Sequence, residues 1–324
     1  MSAGALPGRV VVVGGAGFIG THVVDRLAQG GWEVLVIDDL SHPCGVPLPA
    51  GVELLEASGG SSAARTAMER FHPQAMIHLA AKGGVSRALR DPAAHIKGVL
   101  AESVGCFVAA QAAGCASVLI ASSGGAVYGD PKVLPAPERL RPAPRSAYGA
   151  EKLCEETYLA TVAQQGVRTL ALRFGNVYGP RQDGTGEAGV VAITATRLIA
   201  GQPALIYGDG QQTRDFVYVE DVADATVAAL HRRCTGAVNV GTGRETSVRD
   251  IVCGLVEIIG STAGIETQPS RPGEVRRAAL DASRAQRWLG WRAQTSLMDG
   301  LARTADFFAS RAQTVAATVT SGVT

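Results

Sequence analysis

Val10-Val11-Val12-Val13-Gly14-Gly15-Ala16-Gly17-Phe18-Ile19-Gly20 is the stretch that decides the fold. Four β-branched residues in a row suit a strand buried on both faces, and apolar residues at helical spacing follow over residues 19–27. Between them Gly14 can take a tight turn, Gly17 lets the backbone approach a pyrophosphate, and Gly20 allows the helix to pack closely. The helix start adds free N–H groups and partial positive charge. Strand, glycine turn and helix in this order make a dinucleotide fingerprint, with Gly14, Gly17, Phe18, Ile19 and Gly20 against the cofactor.

Short apolar runs recur at residues 34–37, 75–79, 118–121 and 169–172, each bounded by turn residues. Longer stretches with helical spacing lie between them, at 19–27, 96–113 and 148–162. Strands apolar on both faces that alternate with helices predict an α/β fold, a doubly wound parallel sheet of Rossmann type, over residues 1–173. After Arg173 the chain turns to Gly- and Pro-rich loops such as Gly179-Pro180-Arg181-Gln182 and Gly208-Asp209-Gly210. Residues 174–309 are therefore expected to form a smaller substrate-binding portion interleaved with the first, and residues 310–324 a frayed tail.

The run at 34–37 ends in Asp38. A carboxylate at the end of the second strand accepts hydrogen bonds from a ribose 2′-hydroxyl and repels a 2′-phosphate, so NAD is the expected cofactor rather than NADP. Composition narrows the partners. The 324 residues carry 30 Lys and Arg against 29 Asp and Glu, a formal net charge of +1, with no basic run to track a phosphate backbone, so nucleic acid is not an expected partner. No apolar run is long enough to span a membrane and the N-terminus lacks the apolar core of a secretory signal. The six cysteines form no Cys-x-x-Cys pair and no metal-ligand spacing with His, which fits reduced thiols in a cytoplasmic protein without a metal.

Tyr148 and Lys152 stand four apart at the head of a helical stretch, on one helical face. A phenol is a poor base at neutral pH. A neighbouring ammonium and a cationic nicotinamide stabilise its phenolate, so Tyr148 can take a hydroxyl proton during hydride transfer, while Lys152 can also hold the nicotinamide ribose.

With these motifs the chain, from about residue 9 to residue 308, resembles the extended short-chain dehydrogenases, and in particular the UDP-glucose 4-epimerase family. The resemblance rests on the glycine turn, His78-Leu79-Ala80-Ala81, Ser122-Ser123 with Val127-Tyr128-Gly129, Tyr148-x-x-x-Lys152, and the run Arg173-Phe174-Gly175-Asn176-Val177-Tyr178-Gly179-Pro180-Arg181-Gln182. Gly208-Asp209-Gly210, Arg214-Asp215-Phe216-Val217-Tyr218-Val219-Glu220-Asp221 and Arg271-Pro272-Gly273-Glu274-Val275 complete it. It implies that Leu79, Ala80, Ala81 and Lys82 lie beside the cofactor. It also implies that Asn176, Arg214, Arg271 and Glu274 hold a nucleotide sugar, and guanidinium forks suit a diphosphate. Helices over residues 91–113 and 148–162 would pair across a two-fold axis in a homodimer, and both carry apolar residues beyond one stripe: Val99, Val104, Phe107 and Val108, and Leu153, Tyr158, Leu159 and Val162.

Three positions depart from the family pattern. The hydroxyl expected four residues before Tyr128 is replaced by Gly124, and Ser123 is the nominated substitute. No acidic residue follows the third strand in Leu55-Glu56-Ala57-Ser58-Gly59, and Val99 stands where an Asn is expected. The implied reaction is 4-epimerisation of a UDP-hexose or UDP-hexuronate, by transient oxidation at C4 with Tyr148 as base and hydride return to the opposite face. Gly125 and Ala126 occupy the acid-pair positions of the sugar dehydratases, which argues against elimination. A 4-ketoreductase of nucleotide-linked sugars, and a catalytically weak protein that binds nucleotide sugar or NAD, are the alternatives.

Overall fold

A computed structural model describes residues 8–81, 92–185, 189–270 and 275–321. Its strands are β1 (Arg9–Val13), β2 (Glu33–Asp38), β3 (Glu53–Glu56), β4 (Ala75–His78), β5 (Ser117–Ser123), β6 (Arg168–Phe174), β7 (Asn176–Tyr178), β8 (Ala204–Tyr207), β9 (Thr213–Arg214), β10 (Phe216–Tyr218), β11 (Gly236–Val240), β12 (Thr246–Ser247) and β13 (Ile265–Gln268). Seven form one sheet in the order β11-β6-β5-β4-β1-β2-β3, every neighbouring pair parallel.

Alternation along β1 shows why the run of valines is needed. Val10 and Val12 belong to one apolar core, with Leu27, Leu170, Val222 and Trp291. Val11 and Val13 belong to a second core on the opposite face, with Met68, Phe107 and Leu159. Neither face meets water, so each position must be apolar, and each fully buried aliphatic side chain contributes about 1.5–3 kcal/mol. The two strands beyond the five apolar runs lie at the sheet's ends. β3 is an edge strand whose residues are largely exposed, and β11 returns to the sheet beside β6 long after residue 173. The chain therefore re-enters the first layer from what the sequence marks as its second portion.

A third core, including Tyr178, Ile206, Phe216, Tyr218, Ile251, Leu255 and Leu301, holds the smaller portion together. There β10 pairs with β7, β12 with β9 and β13 with β8. The final helix, Leu297–Ser321, continues past residue 310, where the sequence suggested an irregular tail. No helix among the described residues is long and apolar enough to cross a membrane.

Candidate active site

All parallel strands of the sheet point their C-terminal ends the same way, and the cleft opens there. Gly14 has φ +80°, a left-handed conformation that costs glycine little, and a Cβ on it would lie 2.5 Å from the Ala80 nitrogen. A Cβ on Gly20 would lie 2.1 Å from the Gly14 oxygen, so the Phe18–Gln29 helix can sit this close only with glycine there. By contrast, a Cβ on Gly17 would meet nothing closer than 3.5 Å. That glycine leaves its backbone open to the cleft.

The cleft has a volume of about 600 Å³, and its wall includes Gly14, Gly17, Phe18, Ile19, Gly20, Asp38, Leu79, Ala80 and Ala81. One Asp38 oxygen accepts from the Ala16 N–H at 2.9 Å and the other from the Leu40 N–H at 2.9 Å. These bonds lock a carboxylate with remaining lone pairs at the cleft's edge. A bare-backed glycine turn, a helix N-terminus and a fixed acceptor suit a dinucleotide with a free 2′-hydroxyl. Lys82 lies outside the described residues.

Residues given no cofactor role by the sequence complete the wall. Cys44, Glu102, Gln182, Asp183 and Arg311 all line it. Glu102 accepts from the Gly59 N–H at 3.2 Å, and Val99, one turn earlier on the same helix, is buried. Arg311 comes from the last helix, in the segment expected to be a tail. Its proximity depends on tertiary packing, for which the sequence holds no local signal.

Tyr148 and Lys152 lie on the Ala147–Ala163 helix, whose N-cap Ser146 accepts from the Gly149 N–H. The Lys152 nitrogen is 5.8 Å from the centre of the Tyr148 ring. The phenol stands above its ordinary pKa. Burial is the largest cause, Glu151 and Glu155 add to it, and Lys152 and a hydrogen bond with Ser123 oppose it. Lowering of the phenol by its lysine, expected from the pair alone, is thus outweighed in the protein by desolvation and two carboxylates. A cationic ring bound beside Tyr148 would act in the same sense as Lys152.

The two serines at the end of β5 have separate engagements. Ser122 is buried and donates to Glu156 Oε1 at 2.5 Å, and Glu156 in turn receives both the Arg173 Nε–H at 2.9 Å and an Arg173 Nη–H at 2.6 Å. Ser123 is the one that meets Tyr148. At Gly124 a Cβ would come within 2.5 Å of Leu280, itself buried among Val127, Tyr128 and Ala136. A side chain there would displace Leu280, whose bulk fills the space. At Gly125 a Cβ would lie 3.3 Å from Asn176 Oδ1 and 4.0 Å from Ser123 Oγ. Asn176 is exposed, and the small residue at 125 leaves open space between it and Ser123.

His78, by contrast, is packed away. It is buried, its ring meets Phe107 edge-on at 5.7 Å, and burial holds its pKa below the ordinary value. Further along, Asp215 takes no part in a surface pair with Arg214. Its buried carboxylate accepts from the N–H groups of Thr242, Gly243 and Leu280, while Arg214 donates to the Thr213 carbonyl at 2.8 Å. A smaller hollow of about 350 Å³ lies between Tyr207, Gly208, Asp209, Gln212, Ser270 and Arg276. Hydrogen bonds from Arg276 hold the Asp209 carboxyl down at about 2. Arg271 and Glu274 lie outside the described residues, immediately beyond Ser270.

Residues 10–241 match the model of the NAD dependent epimerase/dehydratase family. Among curated proteins, a UDP-glucose 4-epimerase of Mycolicibacterium smegmatis is 39% identical over 312 residues, 94% of this chain and 100% of that protein. Among solved structures, a Thermotoga maritima UDP-glucose 4-epimerase with UDP-glucose superposes with a TM-score of 0.89 at 39% identity, covering 94% of this chain and 99% of that one. A Thermus thermophilus UDP-glucose 4-epimerase complexed with NAD gives a TM-score of 0.88 at 37% identity, covering 93% and 98%.

Proposed function

This chain belongs to the NAD dependent epimerase/dehydratase family, and from that premise we propose the residues and the substrate with which it works. It is an NAD-dependent nucleotide-sugar 4-epimerase, an isomerase. The observation that carries the assignment of roles is the meeting of Ser123 and Tyr148 beside Lys152, opposite Asn176 across Gly125. NAD, when bound in the cleft, supplies a hydride acceptor. Gly14, Gly17, Phe18, Ile19, Gly20, Leu79, Ala80 and Ala81 hold it, Asp38 selects its ribose, and Lys82 completes that set.

Tyr148 takes the proton of the sugar C4 hydroxyl and gives one back after the keto sugar has turned over. Ser123 hydrogen-bonds the phenol and replaces the hydroxyl missing at 124. Lys152 stabilises the phenolate, and its closeness to Tyr148 supplies orientation as well as charge. Asn176, Arg214, Arg271 and Glu274 anchor the nucleotide and diphosphate. Firm hold on the nucleotide with few charges at the sugar lets the keto sugar rotate.

The substrate is a UDP-hexose or UDP-hexuronate, supported by relatives named as UDP-glucose 4-epimerases and by a similar structure solved with UDP-glucuronic acid and NAD. The active form is a cytoplasmic homodimer. Free thiols at all six cysteines support a reducing compartment, and the exposed Val108 and Tyr158 on adjacent helices support self-association. Incubation with UDP-glucose, UDP-N-acetylglucosamine and UDP-glucuronate, followed by NMR, tests the substrate. Conversion to the C4 epimer of at least one is expected, and no epimer from any of them overturns the UDP-sugar assignment.

A further inference from the structure

Lys152 is surrounded by more carboxylate than a proton-transfer pair requires. Its ammonium donates to Glu155 Oε2 at 2.9 Å and lies 3.6 Å from Glu151 Oε1. None of the three is accessible: Lys152 is 3% exposed, Glu151 1% and Glu155 0%. Ser103, buried on the Pro92–Ala112 helix, donates to the other Glu155 oxygen at 2.7 Å. Glu155 thus bridges two helices. A lysine stem is long and flexible, and an ammonium at its end can occupy many positions unless something holds it.

We propose that Glu155, seconded by Glu151, is a positioning residue that clamps the Lys152 ammonium at one site beneath Tyr148 and so sets how strongly that charge acts on the phenol. The proposal rests on the reading of Tyr148 as the base. Burial alone lowers the Lys152 pKa, yet Glu155, then Tyr148 and Glu151, hold it above its ordinary value. The ammonium therefore stays charged. The carboxylates also act directly on the phenol, in the opposite sense to the ammonium they hold. Other titratable groups near the clamp come from separate elements: His78 from β4, held neutral by burial, and Glu102 from the Pro92–Ala112 helix. Ser123, from β5, meets the phenol itself. Two buried carboxylates against one ammonium leave surplus negative charge, which opposes the phenolate until the clamp is altered.

Glu155→Gln keeps an oxygen for the ammonium, turns its NH2 towards the Ser103 hydroxyl, which can accept, and removes the charge. Ionisation of Tyr148 is read in the NAD-loaded protein as ultraviolet difference absorbance against the same protein carrying Tyr148→Phe. Its midpoint is expected to fall by about one pH unit in Glu155→Gln, and by at least as much in Glu151→Gln, whose carboxylate acts on the phenol more strongly. Glu155→Asp keeps the charge but sets it back by one methylene, so the ammonium is no longer held at its site and the midpoint should rise above that of the unmodified protein. An unchanged or raised midpoint in Glu155→Gln, or a midpoint in Glu155→Asp that stays at the unmodified value, overturns the clamp. If that variant does not fold, an unmoved Glu151→Gln midpoint overturns it instead. The titration needs no sugar, so a shifted midpoint without epimerisation would sink the reaction and leave the clamp standing. Where turnover is present, its acid limb should follow the same shift.

Discussion

At residue scale the site turns on which side chains reach the phenol. Ser122 is committed to Glu156 and Arg173, and Leu280 fills the space a side chain at 124 would need. Ser123→Ala should therefore lower turnover by about 10²-fold, while Gly124→Ser, made on that background, should fail to restore it because Leu280 is in the way. Restoration by the serine at 124 would show that the relay can sit in its family position after all. Tyr148→Phe should leave less than about a tenth of the rate with nucleotide-sugar binding intact, as only the ionisable oxygen is lost. At the other end of the cleft, Asp38→Ala removes both an acceptor and a repulsion. NAD affinity should fall and discrimination against NADP should relax, and an unmodified protein that already prefers NADP would contradict this. Spacing made Tyr148, Lys152 and Asp38 legible. Nothing in the sequence assigned Glu151 and Glu155 a role, although Glu155 stands one turn beyond Lys152 on the same helix, and Ser103 and Leu280 reach the site only through tertiary packing, which no local pattern records.

Among the elements, the helix that opens at the glycine turn is tied to distant sequence. His22 is buried on the Phe18–Gln29 helix and donates its Nε2–H to the Pro180 carbonyl at 3.0 Å. Asp25 of the same helix pairs with Arg181 at 2.6 Å, and Arg26 pairs with Glu220 and Asp224. These contacts bring Gln182 and Asp183 over the cleft that the sequence attributed to the first portion alone. Burial holds His22 below its ordinary 6.5, against the favourable Pro180 carbonyl, and His78 is lowered by burial as well. A histidine kept neutral in the fold binds a proton more readily when unfolded, so its contribution is present above 6.5 and lost as pH falls through the lowered folded value. Urea midpoints should thus drop as the protein is taken from about pH 7.5 to about pH 5.5. His22→Gln keeps an N–H for Pro180 and should flatten that dependence; an equally steep loss in the variant would assign it elsewhere. Strands with apolar runs were readable because burial on both faces leaves no alternative residue type. β3 was not, being an exposed edge, and β11 was not, because its return to the sheet is a matter of topology rather than of composition.

For the whole molecule the open question is what covers the paired Pro92–Ala112 and Ala147–Ala163 helices, which pack side by side. Of the apolar residues that suggested a second covered face, Val99, Phe107, Leu159 and Val162 are already in the interior. Phe107, Leu159 and Val162 belong to the core against the sheet and say nothing about assembly. Val108 and Tyr158 are different, at 45% and 47% exposed on the outer side of the two helices. An aliphatic and an aromatic side chain on a two-helix face are what a two-fold partner would cover with the same two helices of a second copy. The patch is narrower than the sequence implied, so a few residues should carry the association and charge placed there should abolish it. Sedimentation equilibrium of the unmodified protein at micromolar concentration should give about twice the chain mass of 33.3 kDa. Val108→Asp with Tyr158→Asp should give the single-chain mass while NAD binding survives, since neither side chain lines the cofactor cleft. A monomeric unmodified protein would refute the dimer outright. A dimer that tolerates both aspartates would move the interface off these helices.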